Sequence, residues 1–167
     1  MRKRAQGTGY RAQGAPVNNL RLLCLLVSCV LCLVPISSAD EDASSRVCFQ
    51  DTCYAVDIAA DPASREQGLM QRDGLKPGQG MLFLFDSPGR FSFWMKNMKF
   101  PIDILWLDSS GQVVYLANKV PPCQDTPCAV YTPDFDATYV LEIPAGDALV
   151  HSIGLTSKAS LENIFQK

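Results

Sequence analysis

Apolar positions recur every second residue through much of the chain beyond residue 50, the period of half-buried strands. "YAVDIA", Tyr54 to Ala59, places Tyr54, Val56 and Ile58 on one face of a strand. Asp61 followed by Pro62 opens a helix, with aspartate as N-cap and proline at the first position. That helix runs through "ASREQGLM" and stops in "RDGLKPGQG", where glycines and a proline break it. "MLFLF", Met81 to Phe85, is apolar at every position, so both faces are covered, as in a central strand. After the turn "DSPGR", Phe91, Phe93 and Met95 share one face, and Ser92, Trp94 and Lys96 the other. In "IDILWLD" the faces are Ile102, Ile104 and Trp106 against Asp103, Leu105 and Leu107. "DSSG" turns into a further strand, "QVVYLANKV", and residues 121–136 read as loop. "TYVLEIP" is a late strand with Tyr139, Leu141 and Ile143 on one side. "AGDALVHSIG" has helical spacing at Ala145, Leu149 and Ile153, with Gly154 as its stop, and the last thirteen residues have room for one more short strand. This order predicts an α+β, mainly β domain: a curved antiparallel sheet or partly closed small barrel with one or two packed helices.

Three polar residues interrupt the most apolar part of this pattern. Lys96, Asn97 and Asp103 lie within "FWMKNMKFPIDILW". If strand 91–96 folds back on strand 102–108 with Asn97 opposite Ile102, Lys96 faces Asp103, and the opposite charges attract across the pair. A slip of one residue separates them. The trio then either pins a hairpin, with Asn97 capping the turn, or supplies convergent polar groups to a pocket walled by Trp94 and Phe100. A lysine–carboxylate pair can also move protons where burial tunes it.

Charge changes the picture at the amino terminus. The basic residues Arg2, Lys3, Arg4, Arg11 and Arg21 precede or open the apolar run Leu20–Ile36, and no acid precedes Asp40. This is the pattern of a secretory signal peptide over 1–39, with Ser37 and Ala39 at the small-residue positions before the cut. A membrane anchor, or a translation start near Val17, is the alternative. Residues 40–46 read as a flexible mature terminus and 47–167 as a single domain. From Asp40 onward ten basic and seventeen acidic residues give a net charge of −7, which disfavours nucleic acid and anionic membrane surfaces. Contact with membrane is expected only if the leader is retained.

Of seven cysteines, Cys24, Cys29 and Cys32 fall in the leader. The other four form two close pairs, "CFQDTC" and "CQDTPC". Three connectivities are open. The local one, Cys48–Cys53 and Cys123–Cys128, is favoured because each pair brackets a turn, and a two-residue turn at Gln50–Asp51 sets Cys48 opposite Cys53. Export to an oxidising compartment, periplasmic or extracellular, fits such staples. A redox role prefers a C-x-x-C spacing, and a zinc site would need both pairs to converge.

No nucleophile elbow, phosphate-binding loop or dinucleotide fingerprint occurs, and no cofactor or metal is implied. His151 is the single histidine. Arg65, Glu66 and Arg72 lie on or just after the first helix, where charges are commonly solvated. Glu142 interrupts the apolar run "VLEIP" on the Thr138/Val140 face, where it could pair with an arginine or lysine.

Six stretches in fixed order, "SREQGLMQR", "GMLFLF", "FWMKNM", "PIDILWLD", "PPC" and "YVLEIPAG", together resemble the bacterial and archaeal domain-of-unknown-function family 192. The resemblance spans about Val47 to Gly154. It implies a small, often exported, β-rich domain without an assigned activity. Its characteristic polar positions fall here on Arg65, Arg72, Lys96, Asn97, Asp103 and Glu142. Two departures stand out: Met98 occupies a position where the family commonly has a small hydroxyl residue, and the family's usual glycine–aspartate ending is absent from the last fourteen residues. The combined expectation is an exported domain that binds a small molecule or a cell-envelope partner. An envelope enzyme centred on Lys96, Asn97 and Asp103, or a structural accessory of a larger complex, are the alternatives.

Overall fold

The computed structural model describes residues 44–165; residues 1–39, read above as a leader, and the start of the expected mature chain lie outside them. Nine strands and two short helices alternate as β1 (Arg46–Phe49), β2 (Thr52–Ala59), α1 (Pro62–Gln67), β3 (Gln79–Gly89), β4 (Phe93–Trp94), β5 (Ile102–Leu107), β6 (Val113–Val120), β7 (Val130–Tyr131), β8 (Ala137–Pro144), α2 (Asp147–Val150) and β9 (Ala159–Glu162). Seven strands form one curled sheet in the order β6-β5-β8-β3-β2-β1-β9, and β4 pairs with β7 in a separate two-residue ribbon. The large sheet is antiparallel except between β2 and β3, which run parallel because α1 and its following loop carry the chain across.

The sheet curls until its ends meet. The Val113 amide donates to the Ser157 carbonyl at 2.9 Å, the Thr156 amide to the Val113 carbonyl at 3.0 Å, and the Ala159 amide to the Gly111 carbonyl at 2.9 Å. Gly111 makes this approach possible: its φ is +82°, and a Cβ there would lie 2.6 Å from the Ala159 carbonyl oxygen. The result is a partly closed barrel with an apolar layer on each side of its wall. Tyr54, Val56, Leu82, Leu105, Leu107, Leu141 and Ile143 fill the inside. Leu69, Phe83, Met95, Ile102, Ile104, Trp106 and Val140 form the outer layer, under the segments that follow α1, surround β4 and precede β7.

Local sequence accounts for the elements. Asp61 caps α1 as a capping box, its Oδ1 accepting from the Ser64 amide at 3.0 Å while the Asp61 amide donates to Ser64 Oγ at 3.2 Å. Gly68, with φ +46°, ends the helix. The helix read in "AGDALVHSIG" is only one turn long. Ala148 is its buried residue, and Leu149 points outward, because Gly146 at φ +93° rotates the turn relative to the apolar spacing.

The hairpin read between 91–96 and 102–108 does not form. β4 pairs with β7, and β5 lies between β6 and β8. All six residues of β5 are buried, so the backbone groups along both its edges must find hydrogen-bond partners, which takes a long strand on each side and not a two-residue one.

Cys48 and Cys53 face each other across the β1–β2 hairpin and are joined, with Cα atoms 4.0 Å apart. Cys123 and Cys128 are joined within the 121–129 loop. Replacing Cys48 and Cys53 together by serine is expected to lower stability by about 2 kcal/mol, the loop-entropy value for so short a ring, measured by urea unfolding against the oxidised parent. A loss above 4 kcal/mol would show that the pair does more than restrain a turn.

Candidate functional site

Strand β8 builds the site because it carries a carboxylate where its neighbours carry hydrocarbon. Leu141 and Ile143 face the barrel interior, so Glu142 faces the outer layer, between Met81 on β3 and Ile104 on β5. The strands approach closely at this point: a Cβ on Gly80 would lie 2.7 Å from the Glu142 carbonyl oxygen. Glu142 is 5% exposed, and its Oε2 is buried with no hydrogen-bond partner. Burial pushes its carboxyl up to about 8, against a smaller downward pull from Arg72.

Above Glu142 opens a cavity of about 310 Å³. Its apolar wall comes from Phe83, Phe85, Phe91, Phe93 and Trp94 with Leu69, Met70 and Met98, and Arg65, Glu66, Gln67 and Ser92 are its polar members beside Glu142. The rings brace one another. Phe85 stacks on Phe91 with centroids 3.4 Å apart, Phe93 meets Phe83 edge-on at 4.8 Å, and Trp106 meets Phe93 edge-on at 5.7 Å. The indole N–H of Trp106 donates to the Phe91 carbonyl at 2.8 Å and fixes the chain at that wall.

The six polar positions do not converge on one point. Arg65 lines the cavity. Its Nη1 donates to the carbonyls of Ala60 and, at 2.9 Å, Leu84, and its guanidinium lies 5.2 Å from the Phe85 ring centroid. Arg72 pairs with Asp57 at 2.6 Å on the surface, so Glu142 has no ion-pair partner among the described residues. Asn97, at φ +58°, docks the β4–β5 connection against the end of the α1 segment. Its carbonyl accepts from the Gln71 amide at 3.2 Å, and its Nδ2 lies 3.9 Å from Met70 Sδ. Met98, where the resemblance leads one to expect a hydroxyl, presents its side chain to the cavity.

Lys96 is exposed, with its ammonium 5.2 Å from the Trp94 ring centroid. Together with Trp94 and Asn97 it borders a second depression against the Cys123–Cys128 loop. Phe100 packs into the outer layer rather than lining the Glu142 cavity.

Asp103 is fully buried and far from the pairing read from the sequence. Its Oδ1 accepts from the Lys119 amide at 2.6 Å, and its Oδ2 from the Gly146 amide at 2.9 Å and the Ala148 amide at 3.0 Å. Both oxygens are therefore spent on backbone, tying β5 to β6 and to the start of α2. The Lys96–Asn97–Asp103 centre is not assembled. Among the described residues no group of three or more histidine, cysteine or acidic side chains gathers as a metal site would require.

Sequence reasoning missed the aromatic wall, although its signal was present. Phe83, Phe85, Phe91 and Phe93 recur at every second position on either side of one turn, and Glu142 is the one acid within "VLEIP".

The model of the family DUF192, described as Uncharacterized ACR, matches residues 46–161. Among solved structures, a Sinorhizobium meliloti 1021 protein described as a proposed transcription regulator shares 28% identity at a TM-score of 0.65, over 72% of this chain and 93% of that one. A Novosphingobium aromaticivorans DSM 12444 protein of unknown function shares 26% identity at a TM-score of 0.63, over 70% of this chain and 82% of that one. Comparison with curated proteins gives no match.

Proposed function

This chain belongs to the DUF192 family, and on that premise we propose that its domain is an exported binding module that takes a small molecule into the cavity floored by Glu142. One observation carries the reading: a buried carboxyl with an unpartnered oxygen at the base of an aromatic cavity. Burying such a group without a partner costs stability, and a fold gains nothing from it unless something else uses it. A few polar groups within an apolar, braced wall is the composition of a small-molecule site, and about 310 Å³ is at the compact end of that range. Export is supported by the leader pattern and by the two disulfides. Among the described residues no helix is long and apolar enough to cross a membrane. The net charge of −7 from Asp40 onward favours a ligand other than nucleic acid.

The test is a thermal-shift screen of envelope metabolites and glycans on the parent domain and on Met98→Trp, which plugs the cavity. Ligands of this site raise the melting temperature of the parent and leave the plugged variant unchanged. A broad screen without any shift, or shifts that persist in Met98→Trp, would overturn the reading.

A further inference from the structure

Resting on that binding reading, we infer that the ligand is an organic cation, a tertiary or quaternary amine of compact apolar shape, whose charge is met by the Glu142 carboxylate and whose flanks lie on the surrounding rings. The carboxyl at the cavity floor makes no ion pair, and the pull of Arg72 on it is smaller than the effect of its burial. From α1, Arg65 and Glu66 face the cavity; from the segment after α1, Arg72 acts on Glu142. Arg65 is bound to two backbone carbonyls and Arg72 to Asp57, so neither arginine reaches the carboxyl. The neighbours of Glu142 on β3 and β5 are Met81 and Ile104, which bring no charge. A cationic ligand would supply what the protein leaves out.

The walls favour the same class. Aromatic faces attract cations through their quadrupole, and both edges of this wall already do so, with Arg65 over Phe85 and Lys96 over Trp94. Glu66 adds a second acid at the rim. The net charge of −7 from Asp40 onward draws cations toward the domain. An anion would meet two arginines already committed elsewhere, together with the acid at the floor.

The mechanism links binding to proton release. Glu142 must ionise to receive the cation, and its carboxyl is raised to about 8, so below that pH each bound cation displaces a proton. Three probes of equal shape separate the classes: choline, its neutral isostere 3,3-dimethylbutan-1-ol, and 3,3-dimethylbutanoate. Calorimetric titration of the disulfide-intact domain from pH 6 to pH 9 reads their affinities. Choline should bind at least about tenfold more tightly than the neutral isostere at pH 9 and weaken by about tenfold per pH unit below 8. Glu142→Gln should reduce choline to the affinity of the isostere, which itself should change little.

Equal affinity of choline and the isostere, tighter binding of the carboxylate, or a choline affinity independent of pH would overturn the inference and leave the binding reading standing. Failure of all three probes, while a neutral or anionic compound passes the Met98→Trp control, also overturns this inference alone. Failure of the whole screen overturns both.

Discussion

Glutamine in place of Glu142 is expected to stabilise the protein progressively as pH rises, with the gain reaching on the order of 4 kcal/mol at pH 8 and above relative to pH 4. The sign follows from the proton count. An unfolded chain releases the Glu142 proton near 4.5, whereas the folded chain holds it to about 8. Between those values the folded state binds more protons, so stability falls as pH rises through the window and levels off beyond it. Below 4.5 both states are protonated and the carboxyl carries no pH dependence. Glutamine has nearly the same shape and does not titrate. The difference between the two urea-unfolding curves, taken from pH 4 to pH 9, therefore isolates this one group from every other titration. Parallel curves would show that water or a counter-ion reaches the carboxyl in the folded state.

Alanine in place of Asp103 is expected to cost about 3–5 kcal/mol, because it strands three backbone amides that the carboxylate now satisfies. Asp103→Asn keeps the shape and one acceptor oxygen and should cost less. Lys96→Met lies on the surface and should stay within about 0.5 kcal/mol of the parent. The double change Lys96→Met with Asp103→Ala should equal the sum of the two, since the side chains share no partner. Denaturant unfolding of the four proteins checks this. A double variant more stable than the sum would restore the charge pair that the structure does not contain.

These residues mark where the sequence was legible. Tyr54, Val56, Leu141 and Ile143 are spaced by two and lie on the buried face expected of them, because side-chain alternation is a local property of a strand. The cap at Asp61 and the ring at Cys48–Cys53 are also local, and both were readable. What was not readable is pairing between distant strands. Whether β5 sits beside β4 or between β6 and β8 depends on which strands can pair the buried backbone groups along both its edges, and the run Ile102–Leu107 carried that information only indirectly. The charge of Asp103 pointed to a cationic partner, yet backbone amides from residues 119, 146 and 148 are equally good donors to a buried carboxylate and leave no trace in a sequence. Glu142 and Arg65 were singled out, but the cavity that joins them needs Phe85 and Phe91 to stack across a turn.

The meeting of the sheet's two ends also sets an order of events. β1 can pair with β2 early in folding, since they are joined by a two-residue turn. The other edge of β1 takes β9, and Ser45 Oγ donates to the carbonyl of Asn163, 118 residues later in the chain. Among the described strands the first therefore waits for the last. Until residues 156–162 are available, both β1 and the Gly111–Val113 segment expose backbone groups that only they satisfy. Closing so long a loop is slow relative to local pairing. The seam between the sheet's ends is thus expected to form late in folding, and a chain lacking residues 156–162 would keep a sheet with two open edges.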